Sequence, residues 1–302
     1  MQNKKKKKYL FAITSILCWS TVATIVKLLL GSFTSMQVLC ISALFGAIFL
    51  LVLNVSTGCI KKLRDYKPRD YLITVLIGLP GTFFYYLFYY TGTSMMLASQ
   101  AFIVNYLWPI MSVIFACILL KEKMTARKTL AILLSFAGVI VVTGKDILHF
   151  DKTTLLGALF CILGAVSYGI YTALNQKTHY DKRISTMFFY FTSFSLTLII
   201  NLLSGGFPAF RIIEILGFAW NGIFTMALAG TCWMLALESG KTAKISNLAY
   251  ITPFLSLIWT AIFLKEEISP LSVIGLAVIV FGILIQATDK KDGQKPEIKE
   301  VK

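Results

Sequence analysis

Ten apolar runs, each about as long as a helix needs to cross the hydrocarbon of a bilayer, leave this chain little choice of fold. They lie near 9–30, 34–53, 70–90, 95–120, 127–144, 154–176, 184–204, 213–237, 244–264 and 270–287. A membrane-crossing helix takes roughly 20 apolar residues. The fifth run is short, which suits a span that tilts less or begins earlier. None alternates with the period of two that a lipid-facing barrel strand requires. Within the hydrocarbon each backbone N–H and C=O must be satisfied inside the segment, so the runs are read as helices. Charge is correspondingly sparse, at 14% of residues, against about 25% in soluble domains.

A net charge of +15 invites a nucleic-acid partner, but its placement argues otherwise. With spans alternating from an inner N-terminus, one side receives Lys4–Lys8, then Lys61, Lys62, Arg64, Lys67 and Arg69, then Lys121, Lys123, Arg127 and Lys128. It also receives Lys177, Lys182, Arg183, Lys241, Lys244 and the lysines of the tail. The other side receives only Lys145, Lys152, Arg211 and Lys265, and Lys27 alone falls within a span. This bias predicts a multi-pass protein of the cell (inner) membrane with both termini cytoplasmic. The basicity then serves topology and attraction to anionic headgroups, and no nucleic acid is expected. No small-residue cleavage site follows the first run, which is expected to be retained. The six cysteines are scattered without metal-site or disulfide spacing and are expected to pack between helices.

Two stretches read as one element written twice. Tyr106-Leu107-Trp108-Pro109 is followed, eleven residues after the proline, by Leu120-Lys121-Glu122. Tyr250-Ile251-Thr252-Pro253 is followed at the same distance by Leu264-Lys265-Glu266. The offset is 144 throughout, and Gly138 with Gly282 keeps it. Paired proline-interrupted segments at matching places in two halves point to the substrate site of a transporter. Each half holds five spans, an odd number, so the second copy must lie upside down relative to the first. The expected fold is an all-α integral membrane protein, with ten transmembrane helices in two inverted five-helix repeats around a central cavity. Its expected parts are a basic cytoplasmic N-terminus (1–8), a first repeat (9–144), an outer loop (145–153), a second repeat (154–287) and a charged, disordered cytoplasmic tail (288–302).

On these residues the chain resembles the drug/metabolite transporter superfamily, in its EamA-type ten-helix members, over nearly all of 9–287. The carriers are Leu17-Cys18-Trp19-Ser20-Thr21 and Leu120-Lys121-Glu122 with Gly138. Val104-Asn105-Tyr106-Leu107-Trp108-Pro109, with Trp19-Ser20-Thr21, looks more specifically like the aromatic amino acid exporters of that superfamily. The Leu-Lys-Glu motif is common to the superfamily and says little about the solute. The resemblance implies inverted repeats around a central cavity and export of amino acids or related metabolites. Tyr168-Gly169 stand where many relatives carry a tryptophan, which bears on solute preference and not on fold.

Pro109 and Pro253 each remove a backbone donor and crowd the carbonyl four residues earlier. They are read as hinges for alternating access, with static kinks as the competing account. Asn105 and Tyr106 lie one turn before Pro109, beside Trp108. A buried amide in lipid needs a partner, so Asn105 faces a neighbouring helix or the cavity, and the resemblance favours the cavity. Tyr106 and Tyr250 recur at equivalent places and suit a shared role in two gates. Ser20, Thr24 and Lys27 form a polar stripe next to Trp19. Lys27 either attracts a carboxylate or snorkels to the outer interface, and its position about one turn from the outer end favours snorkelling. Among the aromatics of the third span, Tyr89 and Tyr90 are expected in an interfacial belt, whereas Tyr85 lies deeper. Tyr85, Tyr168, Tyr171 and Trp233 are candidates for a cavity wall, with ordinary helix packing as the alternative for each. The candidate substrate-binding set is therefore Trp19, Ser20, Tyr85, Asn105, Tyr106, Trp108, Tyr168, Tyr171, Trp233 and Tyr250.

Asp70, Glu214 and Glu238 lie at span edges and His149 and His179 in loops, so no intramembrane proton relay of the usual kind is expected. That favours a facilitator, or an exchanger that uses the charge of its solute. No Walker loop is present, so ATP is not expected to drive the protein. No nucleophile–base set or paired carboxylates suggest catalysis, and neither cofactor nor metal is expected. The reading is an exporter of a small organic solute, an amino acid or aromatic metabolite, working in the lipid bilayer by alternating access. Its rivals are a multidrug or cation exporter, a lipid scramblase and a membrane-embedded enzyme.

Overall fold

The computed structural model describes residues 2–148, 151–178, 180–237 and 247–287. The expectations for His149, His179, Glu238, Lys241, Lys244 and the tail from 288 lie outside the described residues. All the regular structure described is helical. Among the described residues, nine helical segments are long and apolar enough to cross a membrane, and a tenth, Leu248–Leu264, is shorter.

Besides the last, four spans are continuous helices: α3 (Ser35–Ser56), α8 (Ala126–Leu148), α9 (Lys152–Gln176) and α10 (Lys182–Leu203). Acidic and hydroxyl side chains at the edges of the apolar runs start several helices by accepting from their first free amides. Thr34 Oγ1 accepts from the Gln37 amide, Asp151 from Thr153 and Thr154, and Asp181 from Arg183. Asp70 and Glu214 likewise accept from the amides of Lys67 and Arg211.

The first span is broken at Thr21 into α1 (Gln2–Ser20) and α2 (Val22–Leu29). The Thr21 hydroxyl donates to the Cys18 carbonyl at 2.7 Å and so uses one of the acceptors the break frees. The third consists of α4 (Pro68–Gly78), a π-helical stretch Leu79–Phe84 and α5 (Tyr85–Met95). The eighth mirrors it with α11 (Ile212–Ala219), a π-helical stretch Trp220–Leu228 and α12 (Ala229–Leu237). The fourth divides into α6 (Ala98–Asn105) and α7 (Trp108–Leu119), where the Tyr106 amide still reaches Phe102 and Ile103 before the new helix begins. The stretch near Pro253 is a 3-10 turn, Asn247–Ile251, followed by α13 (Thr252–Leu264). Both prolines therefore sit in the first turn of a restarted helix, where the missing N–H costs nothing. They end up at breaks and not at bends within continuous helices. The last span is α14 (Pro270–Ala287).

Helices without a polar exterior associate through small residues that let backbones approach. The largest contact pairs α8 with α14. There a Cβ on Gly138 would lie 2.7 Å from the Gly275 carbonyl, and one on Gly282 would lie 2.9 Å from the Ala131 carbonyl. Residues 275 and 282 are 131 and 138 advanced by 144, so the two contacts exchange partners. Lys121 and Lys265 are the non-glycine residues with left-handed backbone among those described, at φ 58° and 55°. In each copy the following glutamate amide returns to a carbonyl six residues earlier, Glu122 to Ala116 and Glu266 to Thr260, both at 3.4 Å.

Candidate functional site

Between the broken spans lies a cavity of about 730 Å³. Trp19, Tyr85, Asn105, Tyr106, Trp108, Tyr168, Tyr171 and Trp233 all line it, so eight of the ten predicted binding residues meet around one space. Ser20 does not. It is fully buried, donates to the Leu17 carbonyl at 2.8 Å and accepts the Trp259 indole N–H at 2.9 Å, which ties α1 to α13. Tyr250 is half-buried and stands outside the lining.

The wall is a continuous relay of rings. Trp108 meets Tyr168 edge-on at 5.2 Å, and Tyr168 lies 4.8 Å from Tyr85 and 5.5 Å from Tyr171. Tyr171 meets Phe189 at 90° and 5.6 Å, while Trp19 and Trp233 face each other at 5.5 Å. These separations are those at which aromatic pairs attract. Glycine admits one ring to the third span, since a Cβ on Gly81 would lie 2.3 Å from the Tyr171 ring.

The Asn105 Nδ2 donates to the Tyr85 hydroxyl at 3.0 Å, while its Oδ1 is buried without a partner among the described residues. The Tyr106 hydroxyl donates to the Ala249 carbonyl at 2.8 Å, so the break before Pro109 is bonded directly to the turn before Pro253. Thr252, also on the lining, leaves its hydroxyl without a partner there.

One expectation for the third span is corrected. Tyr89 and Tyr90 are not in an interfacial belt; they are 1% and 0% exposed, Tyr89 lines the cavity, and the Tyr90 hydroxyl accepts from Asn221 at 2.8 Å. A buried amide on the eighth span, Asn221, offers that donor, and its polarity within an apolar run is the signal that marks it. Lys27 has partners within the protein. Its ammonium donates to the carbonyls of Thr93 and Met96 at 2.8 and 2.7 Å, which closes the C-terminal end of α5.

Sequence reasoning missed the polar end of the cavity. Asn175, Gln176, Lys182 and Arg183, on either side of the turn between α9 and α10, line it, and so does Thr186 one turn further on. The spacing of 182, 186 and 189 on one helix face was the available signal. No Asp or Glu is among the described lining residues. The cavity is thus an aromatic chamber with a cationic end.

Several known proteins are similar to this chain. An "Uncharacterized transporter" of Clostridium kluyveri is 26% identical over 95% of this chain and 94% of its own length. The "Aromatic amino acid exporter YddG" of Ancylobacter novellus is 22% identical over 91% and 95%, and that of Escherichia coli is 26% identical over 57% and 61%. A crystal structure 22% identical in sequence superposes with a TM-score of 0.68 over 93% of this chain and 96% of the other, so the fold is shared. Residues 6–144 and again 155–288 match the model of the EamA-like transporter family, and the chain belongs to that family.

Proposed function

We propose that this protein exports an amino acid or aromatic metabolite across the cell (inner) membrane by alternating access. The carrying observation is the ring-lined cavity between the broken spans, with cations and no carboxylate among its described lining residues. A site for lipophilic cations wants a buried acid, so the lining favours a solute that brings its own carboxylate. The names of the YddG relatives point the same way.

Residues 9–144 and 154–287 act as two inverted five-helix repeats, joined by the outer loop 145–153 and flanked by cytoplasmic ends. Several features 144 residues apart support this: the left-handed lysines, the restarted helices at Pro109 and Pro253, and the exchanged contacts of Gly138 and Gly282. An isologous contact of this kind is the mark of a two-fold axis. Leu248–Leu264 serves as the ninth of ten spans. Pro109 and Pro253 are the hinges, and the Tyr106–Ala249 bond between their breaks re-forms or opens as the cavity changes sides.

Purified protein in liposomes tests the reading. Flux is measured across amino acids, amines and aromatic acids, and thermal shifts are compared between wild type and Asn105→Ala. An aromatic amino acid should move and stabilise the wild type, with the shift reduced in the variant. A panel in which nothing moves would sink the proposal, and a shift that survives the substitution unchanged would remove Asn105 from the site.

A further inference from the structure

We infer that Arg183 receives the carboxylate of the transported solute. The inference rests on the proposed transport of a carboxylate-bearing aromatic and names the group that selects it.

Two cations line the cavity, and the structure distinguishes them. The Lys182 ammonium is fully engaged. It donates to the carbonyl and side chain of Asn175 at 2.5 and 3.1 Å, and to the carbonyl and hydroxyl of Thr178 at 3.2 and 2.7 Å. It closes the C-terminal end of α9 and has no donor left for a solute.

Arg183 is held the other way round. Its backbone is pinned, with the amide donating to Asp181 Oδ1 at 3.0 Å and the carbonyl accepting from Asn54 Nδ2 at 3.3 Å. Its guanidinium makes no hydrogen bond or ion pair among the described residues. Asp181, two residues back, is already taken, because its Oδ2 accepts the Lys62 ammonium at 2.5 Å. A rigid backbone therefore presents an unused bidentate donor at the polar end of a chamber with no acid among its described lining residues. Guanidinium and carboxylate match as forks, and low-dielectric walls focus the field of such a charge.

The spacing fits the solute. Arg183 shares a face of α10 with Thr186 and Tyr190, and Phe189 is adjacent. At 1.5 Å per residue those rings lie about 9–10 Å deeper than Arg183. An amino acid with its carboxylate on Arg183 thus reaches the ring wall with its side chain. A cationic amine without the acid gains only the wall.

The test uses reconstituted full-length protein and two probes that share an indole, tryptophan and tryptamine. Half-saturating concentrations are measured by competition for labelled tryptophan counterflow, and tryptamine binding is measured directly. Arg183→Gln should raise the value for tryptophan by about tenfold or more, the loss of one charge-assisted contact, and leave tryptamine within about twofold. Arg183→Lys, which keeps the charge and loses the fork, should fall between, and melting temperatures of both variants report whether the fold is intact. Unchanged tryptophan affinity in a folded Arg183→Gln protein would overturn the inference, and so would an equal loss for both probes. Wild type that handles tryptamine but not tryptophan would also overturn it while leaving transport standing, whereas wild type that handles neither would bring down the transport reading itself.

Discussion

Lys27 and Glu266 grip one turn from opposite sides. The ammonium of Lys27 takes the carbonyls of Thr93 and Met96, and the carboxylate of Glu266 accepts the amides of Ala98 and Ser99 at 2.7 and 2.9 Å. α6 has no capping side chain of its own, since Leu97 occupies the cap position, and a glutamate 168 residues away supplies the cap. The cation at one helix end and the anion at the next helix start both match the helix dipoles.

Glu266→Ala should therefore destabilise the protein by about 1–2 kcal/mol, the usual worth of an N-cap. In detergent this is expected as a melting temperature lower by about 2–4 °C. Glu266→Gln should recover part of the loss, because its amide oxygen still accepts from one N–H. A melting temperature unmoved by Glu266→Ala would show that the cap carries no weight.

Tyr85 and Asn105 form a second test pair. Tyr85→Phe removes the acceptor of the Asn105 amide inside the cavity wall. A buried donor left without a partner costs about 1–3 kcal/mol, unless a solute or water takes it up. The variant should be less stable without solute and should recover more on adding an aromatic amino acid than wild type does. Equal ligand shifts in the two proteins would break the link between this amide and the solute.

Much of the site was legible because helical and proline punctuation is local. The breaks at 106–107 and 247–251 follow from Pro109 and Pro253, and the ring positions follow from aromatic residues within the same runs. What escaped depends on partners far along the chain. Tyr90 looks interfacial until Asn221 is placed beside it, 131 residues away. The partners of Lys27 emerge only when α5 ends within its reach. The freedom of Arg183 depends on Lys62 taking Asp181, a contact across 119 residues that no periodicity announces. Ser20 stands off the cavity lining for the same reason, since Trp259 claims its oxygen.

The Lys62–Asp181 pair gives a pH expectation outside the membrane. Partial burial pushes the Asp181 carboxyl up, but the Lys62 ammonium and the Arg183 amide outweigh it and hold the group below the usual carboxylate range. A carboxyl lowered in the folded state contributes stability that is present above its unfolded value, about 3.9, and lost as pH falls through the folded value. Stability from this pair should be flat between about pH 5 and 7 and decline below about pH 4. Asp181→Asn should flatten that acid limb in a melting series, and an unchanged acid limb would exclude the pair as its source.

Gly81 sets how close the ring wall stands to the third span. A methyl group there would lie 2.3 Å from Tyr171 Cγ, well inside contact distance, and the neighbour it meets is a ring that lines the cavity. The ring must turn about its side-chain bonds or the helices must part. Overpacking of this kind costs about 1–3 kcal/mol, and part of it is relieved if Tyr171 swings into the chamber. Gly81→Ala should consequently lower solute affinity more than it lowers stability, because the displaced ring takes up the space a solute needs. Gly81→Ala combined with Tyr171→Ala removes the clash, so the double variant should regain stability over the single one. If Gly81→Ala instead binds an aromatic amino acid as wild type does, the Tyr171 ring has no part in shaping the chamber.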